Sequence, residues 1–282
     1  MIHFRLLHRL AALMGFTMFN PALASNGLEV EVGAYFASAG TSIEVYDPFH
    51  NKFIDLSFES ELNLPDREIL PYFDLEYRFK DNHQVYFDWR KLDRLGHQAY
   101  VARPFQLKIN NSIYTIGGEA DLDTTLNIDI MRLGYGYRFF QSEKLDVHFL
   151  SGFHVTHLKF GMSGKIDVDF DKTPLAKGEV GSAQFDTGVT APLPNVGFLI
   201  EHRIRNDILL KSHVHAFYMS YGEISGWMYE LEMAARYYIT KDFSVTSSFN
   251  YYDLGVGYEA EHTQLKVDYR FFGPMIKFAY NF

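Results

Sequence analysis

The chain has 282 residues and a formal net charge of −9, with acidic and basic residues spread along its length. This charge argues against a nucleic-acid-binding surface, so no nucleic-acid partner is expected. The absence of cysteine excludes disulfide bonds and thiolate chemistry. Aromatic residues make up 17% of the chain, which suits either a β core or the aromatic belts of a membrane protein.

The N-terminal segment has the three parts of a secretory signal peptide. Arg5, His8 and Arg9 precede an apolar run over residues 10–18, and an A-x-A cleavage pattern with Ala at both outer positions follows at residues 22–24. The apolar run is well short of the roughly 20 residues of a membrane-spanning helix. We therefore predict a signal peptide over residues 1–24 and a single domain over residues 25–282. No later segment has an apolar run of spanning length, so a membrane location would require strands.

Alternating polar and apolar residues fill the rest of the chain and predict an all-β fold of about ten strands. The predicted strands lie at residues 28–37, 72–79, 84–91, 126–140, 145–159, 195–204, 208–221, 227–239, 243–254 and 273–282. Segments 52–64 and 264–272 also alternate, so counts of eight and twelve strands stay open. No linker or change of composition divides the domain.

The predicted connections are short on one side and long on the other. Short polar turns are predicted at residues 80–83, 141–144, 205–207 and 240–242. Aromatic residues flank these turns, for example Tyr77 and Phe79 before the first of them. Longer irregular connections are predicted at residues 38–71, 92–124, 161–194 and 255–272, with only 222–226 short on that side. Outer-membrane barrels have short periplasmic turns and long extracellular loops, so the pattern predicts that the short turns face the periplasm.

The last strand alternates Ile276, Phe278, Tyr280 and Phe282 on one face with Lys277, Ala279 and Asn281 on the other. This strand resembles the C-terminal strand of bacterial outer-membrane β-barrel proteins, in which a terminal Phe is read by the assembly machinery. The resemblance implies an antiparallel transmembrane up-and-down β-barrel in the bacterial outer membrane, surrounded by outer-membrane lipids and lipopolysaccharide. It also implies the barrel assembly machinery as a partner through Phe282. A secreted β-sandwich is the alternative, because its strands would alternate as well.

The inward faces of the predicted strands carry charges of nearly balanced sign. They are Asp74, Glu76, Arg78, Asp88, Arg90, Arg132, Arg138, Asp146, Glu201, Arg203, Lys211, Glu230, Glu232, Arg236 and Lys277. A barrel of about ten strands is narrow enough for side chains to fill it, and buried charges require partners. We therefore predict a largely filled, salt-bridged interior. The predicted role is surface interaction, binding of a small or hydrophobic ligand, or limited permeation. An open diffusion channel is the second choice, and the strand number excludes a large porin.

Two pairs of residues are weak catalytic candidates, His154 with Thr156 and His213 with His215. Residues two apart on a strand point the same way, so each pair shares the inward face. His213 and His215 could share a metal or act as acid and base. Because no third ligand has suitable spacing, we predict neither a metal nor a cofactor, and hydrogen-bonded members of a polar interior are the simpler interpretation.

Two classes of outer-membrane enzyme form the alternative function. Lipid A deacylases use a His with a Ser two positions later on one strand, and the nearest match here has Thr156 two positions after His154. Omptin-type proteases are ten-stranded and use acidic pairs and a His near the outer rim. The residues that resemble such a set are Asp121 with Asp123, Asp167 with Asp169, and His262. Acidic residues in loops are usually only solvated, so a role without catalysis is favoured.

Overall fold

The computed structural model describes residues 27–47, 49–109, 112–118, 121–165, 167–170, 182–260 and 263–282. The predicted signal peptide and the candidate His262 lie outside these residues. The elements are β1 Gly27–Asp47, β2 Lys52–Ser57, α1 Phe58–Glu61, β3 Arg67–Phe79, β4 His83–Gln98, β5 Val101–Ile109, β6 Ser112–Gly118, β7 Leu122–Gln141, β8 Leu145–Lys165, β9 Asp167–Phe170, β10 Ser182–Arg205, β11 Ile208–Tyr221, β12 Ile224–Tyr238, β13 Phe243–Ala260 and β14 Thr263–Asn281. Within the described ranges, no helix is long and apolar enough to cross a membrane.

Ten of these strands form a closed antiparallel barrel, as the sequence predicted. Their order around the barrel is β1, β3, β4, β7, β8, β10, β11, β12, β13 and β14, and β14 pairs back with β1. In the closing pair, Phe278 lies opposite Val32 and Lys277 lies opposite Gly33. The predicted terminal strand is therefore the seam that closes the barrel.

The two ends of the barrel differ in their connections. At one end, which we call the turn end, the predicted tight turns are confirmed at residues 80–82, 142–144, 206–207 and 239–242. In the three-residue turn between Phe79 and His83, Lys80 and Asp81 adopt φ angles of 50° and 59°, in the left-handed region that tight turns use. Phe282 also lies at this end, where its N–H donates to the Leu28 carbonyl at 2.9 Å. The opposite end is called the loop end.

The strands extend further toward the loop end than the sequence predicted. The barrel strands are 13 to 24 residues long, whereas about 9–11 residues suffice to cross a membrane. The predicted irregular connection over residues 255–272 is therefore wrong, because β13 and β14 cover all of it except residues 261–262. Segment 52–64 adds β2 and α1 rather than a barrel strand. A further small sheet of β5, β6 and β9 continues from the loop-end part of β1.

A band of exposed apolar side chains surrounds the turn-end half of the barrel. On β12, Tyr229, Leu231 and Met233 are 57%, 44% and 63% exposed, while Glu230 and Glu232 between them are buried. The aromatic residues beside the turns belong to the same band; they include Tyr77, Tyr137, Phe139, Tyr237, Phe278 and Tyr280. Such a band requires lipid around it, since water would penalise so large an apolar surface. The β-sandwich alternative is therefore wrong.

Beyond this band, the longer strands keep their alternation but invert its polarity, most clearly β14. Along β14 the outward residues are Tyr280, Phe278 and Ile276 near the turn end and Arg270, Asp268 and Lys266 near the loop end. The inward residues change in the opposite sense, from Lys277 to Phe271, Tyr269 and Val267. The loop-end half of the barrel is thus polar outside and apolar inside, as in a water-soluble β-barrel.

The mouth at the loop end is filled by residues 52–64, which we call the plug segment. Its short helix α1 begins after Ser57, whose hydroxyl accepts a hydrogen bond from the Ser60 N–H at 3.3 Å. Phe58, Leu62 and Leu64 are all buried in the apolar core. The Phe58 ring lies 5.2 Å from the ring of Phe160 on β8, so the plug segment packs directly against the barrel wall.

Two features of β4 hold the plug segment in place. Arg94 is fully buried, pairs with Glu59 of α1, and donates to the Pro65 carbonyl at 3.2 Å. Gly96 permits a close approach, because a Cβ there would lie 2.6 Å from the Leu62 carbonyl oxygen. The plug segment is therefore fixed by a buried ion pair and by a backbone contact that only glycine allows.

Candidate functional site in the barrel interior

Three groups of charged residues occupy the turn-end half of the interior, and the first is centred on Glu230. Its two carboxylate oxygens accept from Arg90 at 2.6 Å and from Arg132 at 2.7 Å. Arg132 also bonds Asp88 at 2.6 Å, and Asn250 donates to Glu230 at 3.0 Å. All five side chains are buried, so the charges are tolerated because each has an opposite charge or a donor beside it.

The second group joins the seam strands to β12. Lys277 bridges Glu31 at 3.1 Å and Glu232 at 2.5 Å. Arg236 bonds Glu31 and Glu29, each at 2.7 Å. Glu29 and Glu31 lie on β1, Lys277 lies on β14, and Glu232 and Arg236 lie on β12, so this group ties the closing seam together across the interior.

The third group lies closest to the turn end. Glu201 on β10 accepts from Arg78 at 3.0 Å and lies 3.7 Å from the amine of Lys211. Arg138 bonds Asp146 at 3.1 Å, and His148 lies 3.4 Å from Glu201. The predicted salt-bridged interior is therefore correct for the turn-end half, while the loop-end half is apolar, which the alternation in the sequence does not predict.

A cavity of about 70 Å³ separates the ion-paired groups. Its lining includes Asp74, Lys211, His213, His215 and Arg236. This volume has room for a few water molecules, since one water needs roughly 10–15 Å³ of such space. Charged side chains of the ion-paired groups, such as Glu232 and Lys277, line this cavity.

The four weak catalytic candidates all point into the barrel. His154 is fully buried, its Nε2 lies 2.7 Å from the Tyr252 hydroxyl, and Thr156 is buried on the same face. The rings of His213 and His215 lie 5.4 Å apart, and His213 Nε2 is 3.7 Å from Glu232. The structure places the two pairs in one polar layer, and their catalytic role stays a prediction.

The acidic pair Asp121 and Asp123 lies at the loop end and meets a histidine that the sequence analysis missed. His97 Nδ1 lies 2.8 Å from Asp123, and its Nε2 lies 3.6 Å from Asp121. The hydrogen bond that the His97 ring donates to the Asp123 carboxylate raises the pKa of His97 above its ordinary value of 6.5. His97 and Asp123 are direct partners in the β4–β7 ladder, so a correct strand register would have found this contact. Asp167 and Asp169 lie on β9, paired with β6.

Potential metal ligands come together in one further place. Among the described residues, Asp146, His148 and Glu201 bring three ligand atoms within 4.8 Å of one another. All three residues are buried. The sequence analysis missed this set because Glu201 comes from another strand, 53 positions along the chain from His148 by their numbers.

Comparison with known proteins gives a likeness of fold without a likeness of sequence. No protein-family model matches the chain, and no curated protein matches it. The outer membrane protease OmpT from Escherichia coli is similar in structure, with a TM-score of 0.54, 10% identity, and coverage of 93% of this chain and 100% of OmpT. The translocator domain of the autotransporter NalP from Neisseria meningitidis has a TM-score of 0.44 and 8% identity, with coverage of 93% and 91%.

The closed ten-stranded barrel and its exposed apolar band define the class of this protein. The chain has the fold of bacterial outer-membrane β-barrels, and this fold and band together locate it in the outer membrane. The predicted fold and location are therefore confirmed. A fold of this kind hosts many activities, so the role follows from the interior and the loop end rather than from the barrel itself.

Proposed function

We propose that the protein is a closed outer-membrane barrel that acts through its projecting loop end, as a surface-contact or binding protein rather than a pore. The observation that carries this proposal is the filled interior. Ion pairs occupy the turn-end half, and the plug segment with its apolar surroundings occupies the loop-end half. A solute crossing the barrel would have to break both.

The loop end offers the surface for such contacts. The longest strands exceed the membrane requirement by ten or more residues, which corresponds to a projection of roughly 25 Å for tilted strands. The outward faces of this projection carry charged residues, among them Glu44, Lys91, Asp93, Asp129, Lys159, Lys266 and Arg270. A charged wall of this height suits contact with the polar part of lipopolysaccharide or with another cell surface.

The orientation follows the short turns. We assign the loop end to the cell exterior and the turn end, with Phe282, to the periplasm, where the assembly machinery would read the terminal strand. Phe282 is 75% exposed, which leaves its ring accessible. A small or hydrophobic ligand would bind at the loop end rather than cross the barrel.

Conductance in a planar lipid bilayer tests the closed-barrel proposal. The purified protein should insert without producing steady conductance steps, because the plug segment blocks the loop end. A variant in which a short Gly-Ser turn replaces residues 52–64 and in which Arg90, Arg132 and Glu230 are all replaced by Ala lacks both obstructions and should produce them, which would establish that the assay detects an open barrel. Steady steps from the unaltered protein would defeat the proposal in favour of permeation.

A hydrolase at the loop end is the second candidate, and the contacts of His97 favour it. A histidine held by a carboxylate is the usual general base of hydrolytic enzymes, and the structurally similar OmpT is described as a protease. The test is hydrolysis of a peptide library and of lipid A by the purified protein and by His97→Ala. Cleavage that disappears in the variant would support an enzyme, and equal cleavage by both proteins would exclude this site.

A further inference from the structure

The turn-end group of the interior contains three potential ligands in a compact arrangement. Asp146 and His148 are two residues apart on β8 and both point inward, and Glu201 on β10 lies directly opposite Asp146 in the ladder. The register of two paired strands therefore fixes all three side chains on one side of the sheet. A site built on strands is held more rigidly than one built on loops.

His148 provides an observation independent of the acidic residues. It is 3% exposed, and neither of its ring nitrogens has a hydrogen-bond partner. A buried imidazole without partners is costly, since the hydrogen bonds that it made to water are lost. Its Nε2 points toward the carboxylates, 3.4 Å from Oε2 of Glu201.

In each carboxylate, one oxygen atom contacts a neighbouring cation and the other oxygen atom does not. Asp146 uses Oδ2 to accept from Arg138, and its Oδ1 is buried without a partner. Glu201 uses Oε1 for Arg78 and Lys211, while Oε2 faces His148. A cation thus holds one oxygen atom of each carboxylate, and the other oxygen points to a common position. The cations orient the carboxylates as the outer hydrogen-bonding partners of metal ligands orient those ligands.

We propose that Asp146, His148 and Glu201 bind a divalent transition-metal ion of the zinc type. One imidazole nitrogen and two carboxylate oxygens form a ligand set that suits Zn²⁺ and leaves a fourth position for water. Ligands at about 2.0–2.1 Å from a tetrahedral ion lie about 3.3 Å apart. The His148–Glu201 separation of 3.4 Å agrees with this edge.

The neighbouring cations set the strength of this site. Arg78, Arg138 and Lys211 already balance much of the carboxylate charge, so a divalent ion gains less Coulomb energy than it would at an unpaired cluster. We therefore expect micromolar rather than nanomolar affinity. Because Asp146 is the second residue of β8, directly after the turn at residues 142–144, the ion would enter from the turn end.

Titration of the folded full-length chain in detergent with Co²⁺ tests the proposal, because bound Co²⁺ absorbs visible light and reports its ligands. The unaltered protein should bind one equivalent, and Zn²⁺ should displace it. His148→Ala and Asp146→Asn should each weaken binding by at least about 100-fold. Loss of a residue that only orients a ligand weakens metal binding by up to about 100-fold, and loss of a ligand itself should cost at least as much. His202→Ala is the matched control, because His202 lies next to Glu201 but faces outward, and it should bind as the unaltered protein does.

Loss of metal binding can be distinguished from failure of a variant to fold. Heat-dependent gel migration reports a folded barrel, and a variant that does not fold is replaced by Glu201→Gln, which keeps the side-chain shape. Binding that is undetectable at millimolar Co²⁺, or that is equal in the unaltered protein and in a folded ligand variant, would overturn the metal site and leave an ion-paired cluster only. Neither result bears on whether the barrel conducts.

Discussion

The turn-end and loop-end halves of this barrel use the same alternation for opposite purposes. In the turn-end half, apolar side chains face outward and charges such as Glu230 and Lys277 face inward, while in the loop-end half Arg270 faces outward and Phe271 faces inward. The even-numbered side chains face outward along the whole of β14, so the direction of the side chains stays the same and only the medium around the barrel changes. The inversion marks the level at which the barrel leaves the lipid and becomes a water-surrounded barrel with an apolar core.

The two halves therefore depend on different forces. The loop-end core is stabilised by apolar burial around the plug segment, as in a soluble protein. The turn-end half cannot use that force inside, because its apolar faces meet lipid, and it relies on closed ion-pair groups. Changes that disrupt the charge balance should damage the turn-end half, and changes of volume should damage the loop-end half.

Glu230→Gln should have the largest effect, because it leaves Arg90 and Arg132 buried without their shared carboxylate. Removing one partner of a buried ion pair costs about 3–5 kcal/mol of unfolding free energy. Urea titration of the barrel in lipid vesicles measures the change. Glu143→Gln in an exposed turn is the control and should leave the midpoint in place. Equal stability of the two variants would show that the network does not support the turn-end half.

Phe58→Ala should destabilise the loop-end half by about 3 kcal/mol, through lost burial and the cavity that remains beside Phe160. Phe53→Ala provides a comparison within the plug segment, since Phe53 is 52% exposed, and should cost under about 1 kcal/mol. Proteolysis of the plug segment should accelerate only in the Phe58 variant. Equal rates in both variants would contradict a packed plug.

Gly96→Ala should have a smaller effect, about 1–3 kcal/mol, because the new methyl group would displace the plug segment at Leu62. The control is Gly40→Ala on β1, where an added Cβ meets no atom within 4 Å. Hydrogen exchange of the amides of residues 58–64 gives the readout. Unchanged protection in the Gly96 variant would mean that the plug segment tolerates displacement.

The smallest expected effect is on the pH dependence of the stability that His97 contributes. Its hydrogen bond to Asp123 raises its pKa above 6.5, so this contact contributes stability below pH 6.5 and loses it as the pH rises through the raised pKa. Asp123→Asn should lower the pKa of His97, and added salt should lower it partly, because the pair is exposed. NMR titration of the imidazole measures both changes, and an unchanged pKa of His97 in the Asp123→Asn variant would contradict the assigned contact.

The sequence predicts the turn-end half of the fold well, because alternation there follows the usual pattern of membrane barrels, with apolar residues outside and polar residues inside. Apolar residues such as Phe278 mark the lipid face, and charged residues such as Lys277 mark the interior. The loop-end half was predicted as irregular loops because its apolar residues change face. Segment 38–47, for example, places Ile43 and Val45 inward and Glu44 outward, which a search for lipid-facing residues does not recognise.

The contacts of the candidate sites were harder to predict than the strands. The inward direction of His154 and His213 follows from the alternation of side chains along each strand, and the structure agrees. The meeting of His97 with Asp123, or of His148 with Glu201, depends on the register between strands, which one sequence does not supply. The plug segment was the least predictable part, because its position depends on Gly96 and Arg94 of a distant strand.

The polarity inversion can be measured directly with spin labels, since the chain has no native cysteine and each introduced one is unique. Single labels at positions 266, 268, 270, 276, 278 and 280 of β14 should divide into two sets in lipid vesicles. We predict that labels at 276–280 collide with oxygen dissolved in lipid and labels at 266–270 with a water-soluble nickel complex. Preferential oxygen contact at all six positions would place the loop-end half in the membrane and contradict the account.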